Sequence, residues 1–357
     1  MPTPISLMKK AYDLLGNDYA RASALQIAGF LGIRKDVVRI NTNDGCNIRC
    51  IFCASHQMST GSKIIMSMEH FKTVIDKFAP TTRILYLASE FEPLVTRDFH
   101  RYIEYACRSG IPVISYPTNG LKVNQDIIRT MVDNQMTEIV YSMQGYRKQD
   151  YDRISYGSNF DKVIVGLESL AVYKRKKKSR FPLIRINTIL LASNLRNFSY
   201  LRELVEKYDV KTVQFRALLE TPGQNNPEAV EKEKISNIEV DELEELSKKI
   251  KVQTGELSGK GIDVILPGGL ANGRSINPVF VSRHKNSCSI PQFSIWIDHV
   301  GEVRICPNVD NPAVGNAITD PLKDIRRNMK RLRRLALLGK CKQVSRMINM
   351  DTSQLVN

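Results

Sequence analysis

The chain has 357 residues, 42% of them hydrophobic and 25% charged, with a formal net charge of +15 at pH 7. This length and apolar content predict a sizeable core and about two domains, and exclude a disordered or low-complexity chain. No apolar run approaches the ~18 residues of a membrane span. Met1-Pro2-Thr3-Pro4 lacks a basic region leading into an apolar stretch, so a cytoplasmic protein without signal peptide or membrane contact is expected.

Residues 1–36 show helical apolar spacing through Leu7, Ala11, Leu14 and Leu15, then Ala24, Ile27 and Leu31, and read as an N-terminal helical segment. From 37 to 220, strand-like runs at 37–40, 83–87, 112–115, 138–142, 183–190 and 212–215 alternate with helix-length stretches at 68–78, 98–109, 124–134, 160–176 and 195–208. Such β/α units imply a parallel sheet with helices outside, and ligands at the C-terminal ends of the strands. The polar run Glu220-Thr221-Pro222-Gly223-Gln224-Asn225-Asn226-Pro227 interrupts the pattern as a linker or exposed loop. It opens a linker and covering segment over 221–280, with a charged helix at about 237–252, a strand at 262–266 and a loop at 267–277. Residues 281–357 read as a separate small domain, in which 293–306 form a β-hairpin turning near Gly301.

Two runs carry much of the charge: Lys174-Arg175-Lys176-Lys177-Lys178-Ser179-Arg180, and the helix-like Arg326-Arg327-Asn328-Met329-Lys330-Arg331-Leu332-Arg333-Arg334. Both read as solvated faces rather than a nucleic-acid surface, since only Tyr173 is interleaved with them.

Seven cysteines, an odd number, argue for a reducing compartment rather than a disulfide framework. Three fall in Asp44-Gly45-Cys46-Asn47-Ile48-Arg49-Cys50-Ile51-Phe52-Cys53, just after the first predicted strand. Three thiolates on one loop can hold an iron–sulfur cluster by three of its four irons, leaving the fourth open for chemistry. Continuing to His56 gives Cys-x3-Cys-x2-Cys-x2-His, which would equally supply four tetrahedral zinc ligands. Structural zinc, however, usually staples small units without a core, and this loop opens a large α/β unit. Cys107 shares a predicted helix with Tyr102, Ile103 and Ala106 and reads as a core residue.

The cysteine spacing, with an aromatic residue before the last cysteine, resembles the motif of the radical S-adenosylmethionine (radical SAM) enzymes. Ala88-Ser89-Glu90-Phe91-Glu92-Pro93-Leu94 resembles the family's Gly-Gly-Glu-Pro motif, with Phe91 in place of a glycine. Pro117-Thr118-Asn119-Gly120 looks like its Thr-Asn-Gly. Tyr141-Ser142-Met143-Gln144-Gly145, Tyr151-Asp152-Arg153-Ile154 and Phe160-Asp161-Lys162-Val163 are similar to its Ser-x-Asp-Gly, His-Asp-x-x-Arg and Phe-Asp pattern. The resemblance implies an α/β fold: a partial (β/α)6 radical SAM barrel over 37–220 with a small C-terminal β-hairpin/helix domain. It implies a [4Fe-4S] cluster on Cys46, Cys50 and Cys53, with S-adenosylmethionine on the open iron. Glu92 and Pro93 would then face the cofactor's ammonium, Arg153 and Arg185 its carboxylate, Ser142 its ribose or carboxylate and Phe52 its adenine, with Asn119 alongside.

Cys288, Cys306 and Cys341 form a second constellation whose spacing, with Gly301 and Gly315-Asn316, resembles a shortened SPASM/twitch auxiliary-cluster domain. The later cysteine-rich run of the longer form is missing. Three thiols are one short of a fully ligated cluster, with His284 or His299 as candidate fourth ligands. Alternatively the domain binds no metal, and Cys341 is then the spare thiol able to return a hydrogen atom catalytically. The resulting expectation is an oxidoreductase-type enzyme that abstracts hydrogen from a small molecule or peptide, fed by a donor such as flavodoxin or ferredoxin. Modification of a nucleotide or RNA, and a non-enzymatic iron–sulfur or zinc scaffold, are the alternatives.

Overall fold

The computed structural model describes residues 33–54, 64–218, 223–265, 290–306 and 312–337, with single positions at 24, 27, 31 and 59. The sequence readings at 1–23 and 267–277, and those of His56, His284, Cys288 and Cys341, lie outside the described residues.

Strands β1 (Asp36–Ile40), β3 (Thr82–Tyr86), β4 (Val113–Thr118), β5 (Glu138–Ser142), β7 (Leu183–Ile189) and β8 (Val210–Arg216) stand side by side, all parallel. These are the six strands expected from sequence. The sheet runs further at both ends. Beyond β8 lies β9 (Asp263–Ile265), also parallel. Beyond β1 lies β10 (Ser294–Ile297), parallel to it, followed antiparallel by β11 (Glu302–Arg304) and β12 (Gly315–Asn316). The result is one open ten-stranded mixed α/β sheet, and the terminal strands β12 and β9 do not meet among the described residues. The expected hairpin therefore docks by its first strand onto β1. It turns at Gly301 (φ 89°), where a Cβ would stand 2.6 Å from Ile318 Cδ1 and so requires glycine.

The helices follow from capping and periodicity. Helix α1 (Met68–Phe78) starts at Ser67, whose side chain accepts from the His70 N–H, and buries Phe71, Val74, Ile75 and Phe78 along one stripe. Asn124 and Asn159 cap α2 (Gln125–Asp133) and α3 (Phe160–Lys177) in the same way. The stretch expected as one helix over 195–208 is two, Ala192–Arg196 and Phe198–Lys207. Asn197 breaks it: its amide donates to the Ser193 carbonyl (3.0 Å) and to Asp150 (3.0 Å), a local alternative to the helical ladder.

The two basic runs are only partly solvated faces. The first ends α3, where cations suit the exposed carbonyls, but Lys174 is buried and pairs with Asp209 at 3.1 Å. The second forms helix α4 (Leu322–Leu337). Its Arg326 and Arg333 lie 3.8 and 3.7 Å from the carboxylate of Asp36, which is buried at the start of β1 beside Lys35 and the Thr81 hydroxyl. A buried carboxylate demands such partners. Lys77 completes the clamp by donating to the carbonyls of Ala317, Ile318 and Asp320. No helix among the described residues is long and apolar enough to cross a membrane.

Candidate functional site

Strand β1 ends at Ile40, and the chain enters the cysteine loop at the carboxyl edge of the parallel sheet. The loop is held from the neighbouring strand ends. The Asn41 amide donates to Glu90, and its carbonyl oxygen accepts from Ser89 N at 2.8 Å. Asn43 donates to the Glu92 carbonyl (3.0 Å) and to Thr96 (2.8 Å), and accepts from Gly45 N (2.8 Å). The Glu92 N–H reaches the Gly45 carbonyl at 3.1 Å. From the end of β4, the Asn119 amide donates to Asn47 at 2.9 Å and approaches Cys46 Sγ at 4.0 Å.

The second half of the loop pairs with a different part of the chain. Arg49–Cys50 (β2) and Ser155–Tyr156 (β6) form a short antiparallel ladder, and Ile51 N–H bonds the Ile154 carbonyl (3.0 Å). Phe52 lies against an apolar cluster of Ile51, Ile154, Leu191 and Val230. On the opposite side the loop meets residues 225–226, which sequence alone reads as linker. Asn225 N–H donates to the Cys53 carbonyl (3.2 Å), Asn225 Nδ2 to the Cys50 carbonyl (2.9 Å) and Asn226 N–H to the Ile51 carbonyl (3.0 Å). This contact is not legible in the sequence because asparagine, glycine and proline signal turns without saying where a turn docks.

Cys46, Cys50 and Cys53 are all partly buried, and their charges make Cys46 and Cys50 harder to ionise. Burial first, then the neighbouring thiolates, pushes Cys50 up to about 12; burial and the Glu92 and Cys53 charges push Cys46 up to about 11. Cys46 and Cys50 are thus poor thiolates alone, and sulfurs so placed suit a compensating cationic group. Among the described residues no three acidic, histidine or cysteine side chains close on a single metal ion. Thiolates of a cluster each take a different iron, so this donor set fits three irons of one cluster.

The remaining candidates are placed as follows. Glu92 is buried, and its oxygens accept from Thr118 Oγ1 (2.7 Å), Asn119 N (2.7 Å) and Leu94 N (3.1 Å). Three of about four acceptor positions on the carboxylate are thus filled by this chain, and the group knits the loop after β3 to the end of β4. Burial nevertheless pushes it up to about 7, against the pull of those three bonds. Pro93 follows as the first residue of a 3₁₀ turn, and Ser142 ends β5. Arg153 is half exposed and pairs with Glu233 (2.6 Å), a buried carboxylate that also accepts from Ser193 N (3.0 Å). Gly145 is packed so that a Cβ would stand 2.5 Å from the Tyr151 backbone nitrogen, which fixes the turn after β5 against the helix carrying Arg153. Arg185 stands apart from these groups. It donates to Glu138 (2.8 Å) and Gln214 (2.8 Å), and Glu138 also accepts from Ser115 (3.1 Å), in a buried network spanning β4, β5, β7 and β8.

Arg39, one turn of the pleat before the cysteine loop, was not singled out from sequence. Its guanidinium lies 5.0 Å from the ring centre of Tyr86 and 4.7 Å from that of Trp296, its register partners on β3 and β10. Its Nη1 is buried without a hydrogen-bond partner. Burial lowers the pKa of both Arg39 and Arg216, and Arg39 also feels the charges of Glu90 and Arg216. Cys107 packs against the core, and burial pushes its thiol up to about 12. His299 is buried at the hairpin turn with Nε2 4.0 Å from Asp44, and Cys306 is partly buried after β11.

Residues 40–189 match the family described as the radical SAM superfamily. Among curated proteins the chain is 22% identical over 186 residues to "Fe-coproporphyrin III synthase" of Methanosarcina barkeri, covering 52% of this chain and 45% of that protein. It is 23% identical over 159 residues to "GTP 3',8-cyclase" of Lactiplantibacillus plantarum, covering 44% of this chain and 46% of that one. The chain thus spans about half the length of these relatives. In fold it is similar to Streptococcus suis SuiB bound to S-adenosylmethionine, with a TM-score of 0.63 at 13% identity over 88% of this chain and 72% of that one. SuiB has also been solved bound to the precursor peptide SuiA.

Proposed function

We propose, from the match of residues 40–189 to the radical SAM superfamily, that the protein is an enzyme that cleaves S-adenosylmethionine reductively and abstracts hydrogen from a small-molecule or peptide substrate. When bound, the [4Fe-4S] cluster supplies the electron for that cleavage, and the cofactor carries the hard chemistry. Cys46, Cys50 and Cys53 hold the cluster. Ser142 and Arg153 receive the cofactor's polar groups, a guanidinium fork suiting a carboxylate. Phe52 and the apolar cluster behind it keep one side dry. Glu92, Pro93 and Asn119 shape the cradle through their backbone. Arg185 acts from a distance, bracing the sheet through Glu138. The observation that carries this reading is three thiols on one loop at the carboxyl edge of a parallel sheet, tied to the ends of β3 and β4.

In this reading a ferredoxin- or flavodoxin-type donor supplies electrons, and Cys288, Cys306 and Cys341 form a twitch-like auxiliary site. The test is anaerobic reconstitution with iron and sulfide counted in the wild type and in the triple variant Cys46→Ala/Cys50→Ala/Cys53→Ala. An assay for 5′-deoxyadenosine after reduction follows. Loss of about four irons and of all cleavage in the triple variant is expected; zinc in place of iron, with no cleavage, overturns the proposal. Cys341→Ala separates a ligand, whose loss lowers iron content, from a hydrogen donor, whose loss stops turnover with iron retained.

A second reading, an anionic substrate such as a nucleotide, is favoured by the unpartnered Nη1 of Arg39 beside Arg216. Arg39→Met should then weaken substrate binding at constant cleavage of the cofactor, and salt should weaken it further only in the wild type.

A further inference from the structure

Residues 223–233 form a strap across the cysteine loop that ends at Glu233 against the helices carrying Arg153 and Ser193. It is fastened at three places. Asn225 and Asn226 bond the carbonyls of Cys50, Ile51 and Cys53. Val230, on the short helix Pro227–Lys232 capped by Asn226, enters the apolar cluster with Ile51 and Phe52. Glu233 accepts from Arg153 and Ser193, and its carbonyl accepts the Ala192 N–H (2.9 Å). One fastening therefore lies on the cysteine loop itself, one beside it and one on the helix that carries Arg153.

We propose that Asn225 is a positioning residue for the cluster: with its strap it fixes the peptide planes of the Cys50–Cys53 turn and thereby sets how firmly the cluster is held and at what potential it is reduced. The inference rests on the reading that Cys46, Cys50 and Cys53 hold the cluster. A peptide unit is planar and trans, so anchoring a carbonyl fixes the direction of the next residue's N–H. The backbone N–H groups of Asn226 and Asn225 engage the Ile51 and Cys53 carbonyls and persist in any Asn225 variant, so what the Asn225 side chain alone fixes is the Cys50 carbonyl at the start of the turn. The Cys50 carbonyl already accepts the Cys53 N–H at 3.1 Å, and Asn225 Nδ2 supplies its second donor. Ligand sulfurs gain from donors in their surroundings, since N–H and O–H groups aimed at them stabilise the reduced, more negative cluster and raise its potential. Cys46 and Cys50 already have such donors in the Ile48 N–H and the Ser155 hydroxyl. The outer fastening of the turn is the part that no cysteine spacing encodes.

The test compares the reconstituted wild type with Asn225→Ala, Asn225→Asp and Asn237→Ala. Asp keeps the shape of Asn225 but turns an acceptor toward the Cys50 carbonyl. Asn237 donates to the Glu231 carbonyl (2.6 Å) within the strap and touches no cysteine, so Asn237→Ala loosens the strap while leaving the Cys50 contact in place. Two quantities are read: the rate of iron loss to a chelator, and the midpoint potential from a titration followed by electron paramagnetic resonance. Iron loss should be about 10- to 100-fold faster in both Asn225 variants, the usual consequence of removing an outer-shell partner. Their midpoint should move to more negative potential, and Asn237→Ala should match the wild type in both. Thermal unfolding of the cluster-free chains separates positioning from stability. Wild-type retention and potential in Asn225→Ala overturn the inference, as does an equal loss in Asn237→Ala. A wild type that takes up no cluster at all refutes the reading of the cysteines instead.

Discussion

Glu92→Gln tests how the buried carboxylate between the ends of β3 and β4 is held. Its pKa lies near 7 in the folded chain against an ordinary value of 4.5, because burial outweighs three hydrogen bonds from Thr118, Asn119 and Leu94. Between those two values the folded chain keeps a proton that the unfolded chain has released. Unfolding free energy must therefore fall as pH rises through that window. The whole fall is on the order of 3 kcal/mol, of which about 2 kcal/mol lies between about pH 5.5 and 7.5. Glutamine cannot titrate. At the lower pH it replaces a protonated acid of the same shape, but its NH2 cannot accept the Asn119 N–H, so the variant should start about 1–3 kcal/mol below the wild type. By the upper pH it should have gained about 2 kcal/mol on it. Urea unfolding of the iron-free chain at several pH values measures this, with the single tryptophan, Trp296 on β10, as the probe. Parallel pH profiles for the two proteins would refute the raised pKa. A glutamine variant that falls behind only as pH rises through the range below about 4.5 would show that the three donors outweigh burial, leaving Glu92 ionised and stabilising at neutral pH.

Two further outcomes are expected. Arg185→Ala should cost about 3–5 kcal/mol in unfolding experiments, because it strands the buried Glu138 carboxylate. The pair Arg185→Met/Glu138→Leu should recover most of that. Asp36→Asn should weaken the hold of Arg326 and Arg333 by about 1–3 kcal/mol. Amide exchange should then speed up in Leu322–Leu337 and stay unchanged in Met68–Phe78.

The strands of the central sheet were legible because buried parallel strands read as short apolar runs between turn signals, as in Asp36–Ile40 and Glu138–Ser142. The cysteine loop was legible because ligand spacing is local. So was the hairpin at Gly301, since its turn needs a positive φ that glycine supplies. What escaped depends on partners far away in sequence. The hairpin's own pattern does not say that β10 will add to β1. The arginines at 326 and 333 look like any others on an amphipathic helix until Asp36 is seen beneath them. Arg185, expected near the cofactor, is inward-facing on β7 like a ligand-binding residue would be, but Glu138 on the neighbouring strand claims it. Asn225 and Asn226 carry turn propensity, which is silent about the loop they bond.

The clamp between the two ends of the chain also bears on synthesis. Lys35 reaches the Gln292 carbonyl across 257 positions, and β10 pairs with β1 from Val37 to Ile40. At about 5–20 residues per second, the ribosome delivers that partner on the order of 10–50 s after the first strand has emerged. For that interval β1 has a bare edge, a template for pairing with other chains, and Asp36 has no arginine to meet it. The nascent protein is therefore most vulnerable to self-association until β10 has been made, and a ribosome that stalls before Ser294 leaves that edge open.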